Sequence, residues 1–195
     1  SRIIGSDYLY LGRAQQNLGQ DSLAFTNISK AVELDSTKVE ELAAIGAKYY
    51  TAKNFAKAAQ VYDKVVNANS KDPNVAMNYY YLGASHYFAY AYDVRDNKNP
   101  TKDALVKADT AFSKLIKLAP DYETAFLFRA RINKNLDDAE NTQKLAVPFY
   151  EKFIDLVTVA KPEKAAANKV QLVEAYNYLG AVSASTDKEK AKEYF

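Results

Sequence analysis

Residues 8–36, YLYLGRAQQNLGQDSLAFTNISKAVELDS, are answered 34 positions later by residues 42–70, LAAIGAKYYTAKNFAKAAQVYDKVVNANS. Tyr8, Leu11, Gly12, Gln15, Ala24, Ile28, Ala31 and Ser36 are matched one for one by Leu42, Ile45, Gly46, Tyr49, Ala58, Tyr62, Val65 and Ser70. Large residues recur three and four apart around a small one, the spacing of one helix face, and after a turn a second such stretch follows. A fixed period of this length marks stacked supersecondary units, none of which can bury its apolar face alone.

Working outward, a third copy shows Tyr79, Leu82, Gly83 and His86 on a first helix, then Ala108, Phe112, Leu115 and Pro120 on a second. A fourth is looser: Phe126, Arg129, Ala130 and Asn133, then Ala146, Tyr150 and Phe153, with Arg129 where the pattern has leucine. A fifth opens with Tyr176, Leu179 and Gly180 and reaches Ala191 and Phe195. The small residues Gly12, Gly46, Gly83, Ala130 and Gly180 let two antiparallel helices approach closely, and Ala24, Ala58, Ala108, Ala146 and Ala191 do so from the second helix. Overpacking the crossing with a bulky residue at Gly46 should destabilise by about 1–3 kcal/mol.

This pattern of a large residue, Leu-Gly and an aromatic, followed by Ala, an aromatic, a small residue and Pro, resembles the tetratricopeptide repeat, as in bacterial proteins of that family. The resemblance covers nearly the whole chain and implies an all-α fold, a right-handed α-α superhelical solenoid of about five helix pairs with the last incomplete. The repeats fall at about 5–38, 39–72, 73–120, 121–161 and 162–195, read as one repeat domain.

Composition agrees. The chain is 48% hydrophobic with only 6 Gly and 5 Pro, too apolar for disorder and too poor in turn residues for a many-stranded sandwich. Without cysteine there are no disulfides, thiolate metal sites or thiol nucleophiles, and a single histidine, His86, leaves little room for triads or multi-His metal sites. A net charge of +2 gives no electrostatic reason to expect nucleic acid. Residues 73–92 carry no charge, but Asn74, Asn78, Ser85, His86 and several tyrosines make them a buried helix rather than a membrane span.

The periodicity and caps predict ten helices, at about 6–18, 21–34, 37–52, 54–68, 73–93, 100–119, 121–135, 142–160, 162–185 and 187–195. Ser6 or Asp7 caps the first, Gly19 ends it and Asp21 starts the next; Pro73, Pro100 and Pro162 mark first helical turns. The third repeat carries about a dozen extra residues, read as a lengthened first helix and a polar loop over 93–99. The fourth carries a small insertion at 136–142, and 161–172 forms a long approach to the fifth. Ile3 and Ile4 read as the tail of a preceding helix and Phe195 as mid-repeat, so the chain is expected to be a segment of a larger protein.

The resemblance also implies where a partner sits. First helices line the concave groove in this family, which would present Leu9, Arg13, Gln16, Ala43, Ala47, Tyr50, Tyr80, Ala84, Tyr87, Leu127, Arg131, Lys134 and Asn177. Six of the 16 tyrosines lie between residues 79 and 92, a cluster suited either to a binding surface or, at Tyr79, Tyr81 and Tyr90, to packing on second helices. The carboxylate clamp of chaperone-adaptor members is absent: its positions hold Leu9, Arg13, Ala44, Met77 and Tyr81, of which Arg13 alone fits. Arg13 and Arg131 are candidates for pairing with acidic groups of a partner.

Chemistry-bearing constellations are thin. His86 falls on the packing face and reads as structural. Asp93, Asp96, Asn97, Asn99 and Asp103 lack the order of a calcium loop and read as a turn and cap. Asp137, Asp138 and Glu140 read as solvent-facing carboxylates rather than an acid and base pair. No phosphate loop, nucleophile elbow or zinc helix motif occurs, Lys161, Lys164 and Lys169 are dispersed, and no cofactor or metal is implied.

The reading is a non-enzymatic scaffold holding a protein or peptide segment in the groove, without nucleic acid and without direct membrane insertion. The alternative is a glycan-binding protein of the bacterial outer-membrane type, with Tyr80 and Tyr87 stacking on sugars; a weaker third is an accessory domain beside a catalytic one. Absent cysteine fits periplasm or cell envelope as well as cytoplasm, and oligomeric state is not encoded in any pattern found.

Overall fold

The computed structural model describes residues 4–68, 71–184 and 187–194; Ser70 and Phe195, used in the repeat alignment, and Ile3, read as the tail of a preceding helix, lie outside them. Among the described residues there are ten α-helices and no strand: α1 Gly5–Asn17, α2 Asp21–Leu34, α3 Val39–Thr51, α4 Phe55–Val66, α5 Val75–Arg95, α6 Asp103–Leu118, α7 Glu123–Leu136, α8 Val147–Asp155, α9 Lys169–Ala184 and α10 Lys188–Tyr194. Packing divides the chain into two compact units, Ser1–Pro100 and Thr101–Phe195, so the boundary falls inside the third repeat. In the first unit α1 packs on α2, α3 on α4 and α5 on α4; in the second, α6 packs on α7, α7 on α8 and α9 on α10. Successive helix hairpins of this kind are the arrangement of an α-helical solenoid.

The small residues set the approach within the hairpins. A Cβ on Gly12 would lie 2.5 Å from Ile28 Cγ1, and one on Gly46 would lie 2.8 Å from Tyr62 Cε2. Ala24, Ala58, Ala108, Ala146 and Ala191 are all buried. At the equivalent of Gly46's neighbour Ile45, however, Leu11 is 50% exposed rather than packed.

Arg129 holds that same position in the fourth repeat and shows how a charge replaces leucine there. Its Nε and one terminal nitrogen each donate to a separate oxygen of Asp109 on α6 at 2.8 Å, and its guanidinium lies 4.2 Å from the centre of the Phe149 ring. The flat face packs on a ring while two of the fork's nitrogens bond the carboxylate.

Three first helices end alike. After α1, Gly19 (φ 72) donates to Gln16 O and Gln20 to Gln15 O. After α3, Lys53 (φ 58) donates to Tyr50 O and Asn54 to Tyr49 O; after α5, Asn97 (φ 57) donates to Val94 O and Lys98 to Asp93 O. Each is a Schellman motif, which satisfies the last carbonyls through one left-handed residue. Gly19 and Lys53 follow Gly12 and Gly46 by seven residues, whereas Asn97 follows Gly83 by fourteen, so part of the third-repeat insertion is two added turns of α5.

Several boundaries differ from the sequence expectation. Neither Ser6 nor Asp7 is the cap of α1: the helix begins at Gly5, and Asp7 reaches back from its first turn to accept the Ile4 N–H at 2.9 Å. Helix α8 begins at Val147, not 142, because residues 137–146 fold around the Asp137 carboxylate, which accepts N–H groups of Asp138, Gln143 and Leu145. Asp137 is therefore only 3% exposed, contrary to the expectation that it faces solvent. Helix α9 begins at Lys169, not 162, since Pro162–Lys164 forms only a 3-10 turn, with Lys164 Nζ held at 2.5 Å by Glu123. Pro73 and Pro100 lie just ahead of their helices rather than inside them.

Candidate functional site

Positions around the small residue of each first helix sort the expected groove residues by what the chain itself uses. Three positions before it stand Leu9, Ala43, Tyr80, Leu127 and Asn177. Leu9 (6% exposed) and Leu127 (5%) are buried; Leu127 joins a core with Ala175, Tyr178 and Leu179 of α9. An exposed leucine there would forgo the apolar burial that joins neighbouring first helices. Ala84 is likewise fully buried. Ala43, Ala47 and Gln16 are half-buried.

The position after the small residue holds Arg13 and Arg131, and both arginines are already paired within the chain. Arg13 forms a salt bridge with Glu41 on α3, its Nε 3.3 Å from the second carboxylate oxygen. Arg131 on α7 grips Glu174 on α9 through Nε at 2.9 Å and a terminal nitrogen at 2.6 Å, and the Tyr150 hydroxyl donates to the same carboxylate at 2.8 Å. Burial works against ionisation of Glu174, but the bonds from Arg131 and Tyr150 outweigh it and hold its carboxyl below the usual range. Both arginines thus bridge successive first helices within the chain.

Tyr50 and Tyr80 come together, but within an aromatic cluster. The Tyr50 ring meets Tyr81 and Phe55 edge-on at 5.1 and 5.3 Å, Phe55 meets Phe88 and Tyr92, and Tyr81 stacks on the buried Tyr62 at 5.2 Å. Burial, followed by the nearby Tyr80 and Tyr81 hydroxyls, pushes the Tyr50 hydroxyl well above its ordinary value, and burial does the same to Tyr62. Tyr87 packs edge-on against Phe88 at 5.4 Å. Tyr80, Tyr87 and His86 are half-buried.

Lys134 and Asn177 do line open space. A cavity of about 800 Å³ lies between α7, the 137–146 loop and α9, walled by Lys134, Glu140, Asn141, Thr142, Lys144, Glu174, Asn177, Tyr178, Ala181 and Val182. Its floor is Tyr178, whose hydroxyl donates to Asn141 Oδ1 at 3.3 Å and whose ring lies 5.7 Å from Lys134 Nζ. Its loop wall is held by the Asp137 cage and by Asp138, which accepts from Thr142 N at 2.9 Å; Asn141 and Lys144 there adopt φ 54. In the sequence this loop is marked only by the insertion at 136–142. A smaller cavity of about 350 Å³ between α1 and α3, walled by Leu9, Tyr10, Arg13, Lys38 and Glu41 among others, is the polar counterpart in the first unit.

Among the described residues no three His, Cys, Asp or Glu side chains converge as for a metal ion, and no helix is long and apolar enough to cross a membrane.

No protein-family model and no curated protein matches the chain. Among solved structures, the C-terminal part of a TPR repeat-containing protein from Cytophaga hutchinsonii is 30% identical, the alignment covering 99% of this chain and 67% of that one at a TM-score of 0.66. The chain belongs to the tetratricopeptide-repeat family. A MamA crystal structure shares the fold at 22% identity (94% of this chain, 90% of that one, TM-score 0.59). So does YrrB, described as a TPR protein with an unusual peptide-binding site, at 16% identity (96% and 80%, TM-score 0.55).

Proposed function

We propose that this tetratricopeptide-repeat chain is a non-enzymatic scaffold that holds a segment of another protein on its first-helix face, with the cavity between α7 and α9 as the anchoring place. The observation that carries this reading is the cavity itself. Here Lys134 and Asn177 line about 800 Å³ of open space beside Tyr178 and the Arg131–Glu174 bridge. Concave sites with a few polar groups and an aromatic wall suit side chains of an extended segment. That YrrB is described as having a peptide-binding site supports the reading by family likeness.

The test is to select peptides on the whole chain and follow amide shifts as the selected peptide is titrated in. Shifts clustered at residues 134, 141–144 and 174–182 support the reading. Shifts confined to α2, α4 and α6, or specific glycan binding removed by Tyr80→Ala and Tyr87→Ala, would replace it.

A further inference from the structure

Helix α7 ends differently from the three first helices before it. Those close on a left-handed residue, whereas Asp137, next after α7, is extended (φ −64, ψ 172), so the Schellman bonds that would take up the last carbonyls do not form. A lysine from another helix supplies donors in their place. Lys102, next before α6, donates from Nζ to Leu136 O at 3.2 Å and to Asp137 O at 3.0 Å, across 34 and 35 positions of sequence. Its ammonium also meets the negative end of the α7 dipole.

Asp137 is thereby held from two sides. Its carbonyl is taken by Lys102, and its carboxylate accepts the N–H groups of Asp138 at 2.9 Å, Gln143 at 3.3 Å and Leu145 at 3.0 Å. Between these holds run Glu140, Asn141, Thr142 and Lys144, which wall the cavity. Lys102 itself is exposed and lines no part of that cavity. It follows the third-repeat insertion, and Leu136 opens the fourth-repeat one, so the two departures from the repeat period meet at these bonds.

We infer that Lys102 is a positioning residue of the cavity: by fixing the point where the chain leaves α7, it keeps the loop wall formed before a partner segment arrives. The inference rests on the scaffold reading for what the cavity does, and adds that its affinity is set in part from the start of α6. A wall that has to be ordered on binding weakens the apparent affinity, in proportion to the fraction of molecules in which it is already formed.

The experiment is amide hydrogen exchange by NMR on the full chain and its Lys102→Met and Lys102→Arg variants, followed by titration of each with the peptide selected on the wild type. Met keeps the apolar stem and removes the donor, while Arg keeps donors at the same place. In Lys102→Met the Gln143 and Leu145 amides should exchange about tenfold faster while those of Leu115 in α6 and Phe128 in α7 keep their rates. The peptide should bind Lys102→Met at least about threefold more weakly, and Lys102→Arg should restore both properties. Unchanged loop exchange in Lys102→Met overturns the inference, as does an acceleration shared equally by Leu115 and Phe128, which would make Lys102 a support of the helices at large. A loosened loop with undiminished peptide affinity also overturns it, because the wall then does not matter to the partner. Peptide shifts that miss the cavity fail the scaffold reading instead, a result on which the exchange rates do not depend.

Discussion

Arg131 and Glu174 join two successive first helices across 43 positions of sequence, the guanidinium spanning both carboxylate oxygens while Tyr150 donates to one of them from α8. Three helices of the second unit thus meet at one carboxylate. Arg131→Leu should lower stability by about 1–3 kcal/mol, because a partly buried carboxylate is left short of donors. Urea denaturation of the two proteins checks it, and an unchanged midpoint would mean that solvent already satisfies Glu174.

The same bridge sets a pH dependence. Since Glu174's carboxyl is held below its ordinary value, it contributes stability above the unfolded-state value of about 4.3 and loses that contribution as pH falls through the folded value. The stability difference between the wild type and Glu174→Gln should therefore be largest near neutrality and close below about pH 4. Denaturation midpoints measured from pH 7 to pH 3 check this.

At the alkaline end the sign reverses. Burial raises the Tyr50 and Tyr62 hydroxyls, so their contribution is present below the unfolded value of about 10 and is lost as pH rises past it. Absorbance at the tyrosinate band should show a class of tyrosines that ionises only together with loss of helical circular dichroism. Tyr50→Phe should reduce that class without lowering helicity at neutral pH.

Gly46 and Tyr62 are matched so closely that a methyl group cannot be added without moving a stacked, buried ring. Gly46→Ala should destabilise by about 1–3 kcal/mol, and Tyr62→Leu in the same chain should recover part of the loss that the two changes would sum to separately. Additive losses in that double-mutant cycle would show that Gly46 acts elsewhere.

Lys53 repeats the backbone of Gly19 but with a side chain. Lys53→Gly should stabilise by about 1 kcal/mol and Gly19→Ala should destabilise by a similar amount, since a Cβ at Gly19 meets nothing and only the left-handed backbone opposes it. Thermal unfolding of the two variants checks both signs.

Hairpins were legible because Gly12 and Gly46, with Ala24 and Ala58 opposite, obey a local period that any packed helix pair must satisfy. What the period does not carry is which side chains pair over long distances. Arg129 looks like a flaw in the fourth repeat until Asp109, 20 positions earlier, and Phe149, 20 later, are seen around it. Leu127 shares a register position with Asn177, yet the leucine is buried in the core and the asparagine lines the cavity, so residue chemistry overrides position. The loop wall of the cavity leaves no side-chain pattern in the sequence beyond an insertion, because Asp137 organises it through backbone N–H groups.

A crystal structure of the chain with a selected peptide tests the central claim most directly. The account predicts peptide density between α7, the 137–146 loop and α9, with an acceptor oxygen within hydrogen-bond reach of Lys134 Nζ. Density on the faces of the second helices, with the cavity still holding only solvent, would contradict it.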